Sequence, residues 1–420
     1  MKKRELLNGR SKKAFPAVLA SAALGLAFVS VTNIQPASAA QSITVWHYFN
    51  APAQVKEMTD YGTLFQKDHP GVVVKNVYIP YDQEEPKLIA AAGAKTGPDV
   101  VVFNGGDADL LIQSNVIAPM TKHWNSFADK SKFPAGVIHS YNGGIYAVQG
   151  YVNLLGLWYN ADLLKQDKLT PPKTFAELTA DLAAVKAAGQ QGITLTGMAN
   201  GQGEWQALPW LTNFGFNYAT PTAATATSAF SMIKDWVDKG YLSQQSSTWD
   251  QTVPFTTWAA GGVAFAENGN WQMGTAASTA KFKYGVVPMP LSATGKVYLG
   301  GEAEGIGAFS KNPTLAWQYL QSTYFSKAGQ TLALKEVGSI PSRSDLSDSP
   351  SVTGNPLLSP FVYEIQKMGQ AYPPASMPGK NVSAIQTAGG QAWSAVIGGQ
   401  ATPETAAKSF IDVLTPLLTK

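Results

Sequence analysis

The 420-residue sequence contains no cysteine, which excludes disulfides, thiol catalysis, cysteine-bound metals and a lipid-modified cysteine. Charge is sparse: Asp, Glu, Lys and Arg make up 14% of the chain. Few like charges repel one another when carboxylates protonate, a composition compatible with acidic surroundings. Of the four histidines, His47, His69, His123 and His139, no two are spaced as metal ligands. The Gly-x-Ser-x-Gly element of serine hydrolases is absent, as is the phosphate-cradling Gly-x-x-x-x-Gly-Lys loop. No low-complexity linker or short repeat interrupts the chain. No metal, cofactor or catalytic residue is expected.

What is present begins with an address. Lys2, Lys3, Arg4, Arg10, Lys12 and Lys13 precede an apolar run from Ala17 to Val31, and Ala37-Ser38-Ala39-Ala40 offers small residues. This three-part pattern predicts a secretory signal over residues 1–40, cleaved after Ala39 or Ala40. The run is short against the roughly 20 residues of a membrane span. Its removal turns the formal charge from +3 to about −2, too acidic for a nucleic-acid partner. The remaining chain is long enough for two domains and for a core that needs no disulfide.

Hydrophobic periodicity then alternates. Ile43–Tyr48 reads as a strand, followed by a helix with Asn50 as its cap and Pro52 in its first turn. Val72–Ile79 is a second strand, Glu84–Ala94 a helix and Val100–Phe103 a third strand. Further on, Tyr151–Tyr159 reads as one apolar strand. Thr174 and Glu177 form a capping box, Gly189 marks that helix's end, and Ile193–Leu195 is again a strand. Later helices fall near Thr222–Lys239, Pro313–Phe325, Ala384–Ile397 and Pro403–Leu418. The order strand–helix–strand predicts an α/β fold with parallel strands, arranged as two lobes.

Ligands of open α/β sheets bind beyond the carboxyl ends of the strands. The residues there are His47 and Tyr48; Tyr81 and Asp82; Asn104 and Asp107; Gln149, Tyr151 and Asn153; Asn270 and Trp271; and Glu302 with Glu304. Aromatics beside amides and carboxylates suit a neutral polyhydroxylated ligand, whose C–H faces lie on rings and whose hydroxyls need planar donors and acceptors. Trp158, Trp236 and Trp317 lie in periodic apolar segments and read as core, and Trp46 as half-buried. Trp271 and Trp205 fall outside such segments and are the candidate platforms. A glycosidase would need two carboxylates flanking one bond, and the close pairs Asp107/Asp109 and Glu302/Glu304 suit hydroxyl acceptors better.

These segments together resemble the extracellular solute-binding proteins of carbohydrate ABC importers, the class that includes maltose-binding proteins. The resemblance is carried by Ile43-Thr44-Val45-Trp46, Gly97-Pro98-Asp99-Val100-Val101 and Asn115–Met120. It continues through Ile145–Gln149, Leu157–Leu164, Pro171–Leu178, Gly262–Trp271, Pro313–Leu320 and Ile340-Pro341-Ser342-Arg343. Gln149 stands where the family commonly has proline. The resemblance implies a two-lobed fold with several crossing segments. The first lobe would take residues 41–149 and 288–340, and the second 150–287 and 341–420. It also implies a monomer with a sugar in the interlobe cleft and stacking by Trp271. Arg343 would lie near the hinge and cleft, with membrane permease subunits as partners in the periplasm or cell exterior. A polyamine caged by Asp82, Asp107, Glu302 and Glu304, a glycerophosphate held by Arg343 and Lys380, and a secreted glycoside hydrolase are the alternatives.

Overall fold

The computed structural model describes residues 41–419; the predicted signal lies outside them. Two sheets organise the chain. In the first, the strand Ser42–His47 is flanked by parallel strands Val73–Tyr78 and Val100–Asn104. Glu302–Gly307 then runs antiparallel to Val100–Asn104, followed by Gly144–Gln149 and, at the far edge, Ile138–Tyr141. Val100–Val102 and Phe103 are buried on both faces, as a central strand covered by helices requires.

The second sheet has four strands, in the order Tyr284–Val287, Leu155–Asn160, Val263–Gly269 and Gln191–Thr194. Every residue of Val263–Gly269 is buried. Trp158, Trp210, Trp236, Trp258 and Trp393 fill the core around this sheet. Each such ring withdraws its apolar surface from water at roughly 25 cal/mol per Å². Trp158, Trp236 and Trp317 are all buried and Trp46 is half-buried, where hydrophobic period places them.

Most elements form where the periodicity predicts. Thr222 caps the helix Ala223–Asp238 through Thr225 N, and the last helix spans Pro403–Leu418. The capping box is present in altered form: Thr174 accepts from Glu177 N at 3.2 Å, while the Glu177 carboxylate accepts from Lys173 N at 2.6 Å. Gly189 follows with φ +83°, a conformation that favours glycine.

Two expectations change. The apolar run Tyr151–Tyr159 is not one strand. Tyr151–Val152 pairs with Ile340–Pro341, and only Leu155–Asn160 enters the second sheet. Asn153 and Leu154 lie between as the chain passes from one half to the other, and hydrophobicity alone does not register that change of direction. The segment after Val287 also stays longer with the second half than a break at residue 288 implies. Met289, Val297 and Tyr298 are buried in its core, and Val297–Leu299 pairs with Gly369–Ala371. The first sheet resumes at Glu302. The helices Pro313–Ser322 and Lys327–Glu336 then pack on the first core through Trp317, Leu320 and Ala333, before the chain returns at Ile340. Three crossings thus join the halves.

Candidate functional site

A cavity of about 210 Å³ lies where loops of both halves meet. The first half supplies Tyr48 and Asn50 after the first strand, Gln54, then Tyr78, Tyr81 and Asp82 after the second, and Asn104 at the end of the third. The second half supplies Asn200, Gln202 and Trp205 on and before the helix Gly201–Asn213, Asp250–Thr252, and Trp271 with Gln272 after its central strand. Asn153 and Gly300–Glu302 come from the crossing segments. Tyr48, Tyr78, Asn104 and Trp271 stand at or just beyond the carboxyl ends of strands, where the side chains of a loop are free of the ladder.

The polar groups are held in a network. Glu302 accepts from Tyr48 Oη at 2.8 Å and from Asn153 Nδ2 at 3.0 Å. Burial pushes the Glu302 carboxyl up from its ordinary range, and these hydrogen bonds oppose that shift. Burial, with the Glu302 charge beside it, raises the Tyr48 hydroxyl well above its usual value. Asn104 donates to Tyr81 Oη at 3.0 Å and accepts from Gly106 N at 2.9 Å. Tyr48 and Tyr81 meet edge to face with centroids 5.1 Å apart.

The two tryptophans occupy places that glycines keep open. A Cβ on Gly269 would sit 1.9 Å from the Trp271 ring, and one on Gly300 would sit 2.7 Å from the Trp205 ring. Trp205 is further fixed edge to face by Tyr372 at 5.2 Å. Tyr372 in turn donates to Glu204 at 3.1 Å.

Of the residues expected at the site, Tyr48, Tyr81, Asp82, Asn104, Asn153, Trp205, Trp271 and Glu302 line this cavity. Six do not. His47 is buried one position before the site, its pKa lowered to about 4 by burial, and it packs against Phe49 and Tyr78. Asn270 is buried and donates to Asn153 Oδ1 at 2.9 Å and to Gly338 O at 2.9 Å, so it positions Asn153 instead of facing the cavity. Gln149 donates to Gly301 O at 3.1 Å. Tyr151 is buried in the first core. Asp107 lines an adjoining cavity. Arg343 is turned away from the cleft and forms ion pairs with Asp129 at 2.9 Å and Asp345 at 3.0 Å. Glu304 is buried in the first sheet and accepts from Gly150 N at 2.9 Å.

Sequence reasoning missed Asn50, Gln54, Asn200, Gln202, Asp250, Gln251, Thr252, Gln272 and Gln386. The pair Asn200–Gln202 carried a signal, because it follows the strand Gln191–Thr194 at the start of a helix. The segment at 250 follows no strand and carried none. Among the described residues, no lysine, arginine or histidine lines the cavity, while three acids do: Asp82, Asp250 and Glu302. Among the described residues, no group of three or more histidines, cysteines, aspartates or glutamates is placed to hold a metal ion.

The chain belongs to the bacterial extracellular solute-binding proteins, whose family model matches residues 60–360. A relative, the sn-glycerol-3-phosphate-binding periplasmic protein UgpB of Yersinia enterocolitica serotype O:8, is 27% identical over 289 residues. That match covers 62% of this chain and 63% of the relative, so the chain spans less than two thirds of the relative's length. The GacH receptor of Streptomyces glaucescens, solved unliganded and with acarbose, superposes with a TM-score of 0.79 at 25% identity, covering 91% of this chain and all of that one. Maltose-bound MalE3 of T. maritima superposes with a TM-score of 0.80 at 20% identity over 90% of this chain, a likeness of fold. No helix among the described residues is long and apolar enough to cross a membrane.

Proposed function

We propose that this protein is the extracytoplasmic binding component of an ABC importer, capturing a sugar or short oligosaccharide between its halves and releasing it unchanged to permease subunits. The observation that carries this reading is the composition of the cavity wall. Trp205, Trp271, Tyr48 and Tyr81 supply flat apolar faces among amides and carboxylates, with no basic side chain among the lining residues. Rings stack on the C–H faces of a sugar, and planar amides and acids pair its hydroxyls. Because both halves contribute, a solute contacts all of its partners only when they are together, so binding shifts the population toward the closed form.

The lining argues against the glycerophosphate named for the Yersinia relative. A phosphate dianion would face Asp82, Asp250 and Glu302 with no arginine or lysine lining the cavity to compensate them. The family is one of transport receptors, and two of the three acids at the site hold neighbours: Glu302 holds Tyr48 and Asn153, and Asp250 accepts from Thr252 N at the start of a helix. On this reading the protein is not an enzyme. Export by the N-terminal segment and residence in the periplasm or at the cell exterior belong to the same proposal.

Thermal denaturation in the presence of mono-, di- and oligosaccharides tests it, since a ligand of the native state raises the melting temperature by mass action. One or more neutral sugars should raise it and be recovered unaltered. Stabilisation by glycerol-3-phosphate alone, or new reducing ends in the recovered sugar, would refute the reading.

A further inference from the structure

The cavity between the halves adjoins a second one of about 310 Å³. The two share Tyr81, Asp82, Asn104, Asn200, Gly201 and Gln386, so they lie against each other along that wall. The second has one more acid and no tryptophan. Its acids are Asp82, Glu84, Glu85 and Asp107, and no lysine, arginine or histidine lines it. Glu84 and Asp107 are only 4% and 8% exposed. Among the described residues, Glu84 Oε1 and Asp107 Oδ1 have no hydrogen-bond partner. Among the described residues, none of the four acids takes part in an ion pair.

A buried carboxyl oxygen without a donor is costly, and a second acid beside it makes ionisation of both harder still. Burial first, and then the charge of Asp107, hold the Glu84 carboxyl well above its ordinary range. The group that would compensate these two acids is a compact cation with several donors. A protonated amine has up to three N–H bonds and the compensating charge, and its hydrogen bonds to carboxylates are the strong, charge-assisted kind.

We propose that the second cavity is a subsite for a protonated amine carried by the solute, making an amino-substituted sugar the preferred cargo. This rests on the sugar reading of the first cavity. A free metal ion is the poorer occupant, since no group of three or more metal-ligating side chains is arranged there among the described residues. A linear polyamine would use the acids but leave the amide donors of Gln54 and Gln202 in the first cavity without acceptors.

Calorimetric titration of the wild-type protein tests the proposal. The probes are D-glucose, D-galactose and D-mannose, each with its 2-amino-2-deoxy and N-acetylated counterpart, and spermidine. The titrations are run at about pH 6, below the usual range of an amine. In at least one series the amine should bind about tenfold or more tightly than both neutral counterparts. In Glu84→Gln and Asp107→Asn, shown folded by their melting curves, that ratio should fall toward one. A neutral sugar binding as tightly as its amine in every series overturns the subsite and leaves the proposed function standing. No binding by any amine overturns the subsite alone, and binding of spermidine with no sugar bound overturns both. The wild-type ratios decide the matter even if a variant fails to fold.

Discussion

The side-chain carbonyl of Asn50 accepts a hydrogen bond from Thr252 Oγ1 at 2.8 Å across the cleft. The other end of the same amide donates to Asp250 Oδ2 at 3.2 Å. Asp250 is itself fixed, because its Oδ1 accepts from Thr252 N at 2.9 Å and Val253 N at 3.1 Å at the start of the helix Thr252–Ala259. Asn50 thus joins the first strand's loop to a helix terminus of the opposite half. Its removal should speed opening. Asn50→Ala is expected to raise the ligand dissociation rate several-fold, about 0.5–1.5 kcal/mol, with little change in association. Stopped-flow tryptophan fluorescence measures both rates, and an unaltered dissociation rate would rule the contact out as a clasp.

Trp271 is tested in two ways. Trp271→Ala should weaken sugar binding by at least ~1 kcal/mol through lost stacking. Gly269→Ala places a methyl where the Trp271 ring now lies, at 1.9 Å, and should also weaken binding by displacing the ring. Calorimetry on both variants checks this. Full affinity in Gly269→Ala would mean that the ring's present position is not the one that binds.

Arg343 separates structure from recognition. It is buried and bridges Asp129, Asp345 and the carbonyl oxygen of Phe325. Arg343→Lys keeps the charge but loses the planar fork, so it should cost stability on the order of 1.5–3 kcal/mol. Denaturant unfolding measures that loss. Sugar affinity measured in the same variant should stay unchanged, and a large loss of affinity would return Arg343 to the site.

Stability should fall as pH rises from acid. Burial pushes Glu57 and Asp107 up to about 8, and Glu204 to about 7. Each keeps its proton in the folded state at pH values where the unfolded chain has lost it. Stability is therefore greatest below the ordinary carboxylate range and declines as pH rises toward 7–8, by up to about 1.4 kcal/mol per pH unit per group. None of these acids has a basic partner in an ion pair among the described residues. His47, held to about 4 by burial, and His139, also lowered by burial, work the other way below their ordinary value, two groups against several. Melting temperatures at about pH 5 and pH 8 measure the balance, and a higher value at pH 8 would contradict it.

Much of the architecture was legible because it rests on local periodicity and caps. The helix Ala223–Asp238 has its Thr222 cap, and the strand Val100–Asn104 its unbroken apolar run. Trp271 and Trp205 could be told from the core tryptophans because they fall outside such periods. Asn50 shows the limit. It stands where a helix cap is expected, yet it makes no capping bond and reaches instead to residues 200 positions away. Asn270 and Asn153 are equally plausible ligand amides in sequence, and only the bond between them shows that one supports the other.

By itself the amino-acid order determined the two α/β halves, the absence of thiol chemistry and the kind of side chains available at strand ends. These follow from spacing and composition, which act over a few residues. Only the tertiary structure decided which of those side chains share a cavity, which acids lie buried without a cation, and that Arg343 faces Asp129 instead of a solute. Those outcomes depend on chain segments distant in sequence, and their meeting is set by how both cores pack.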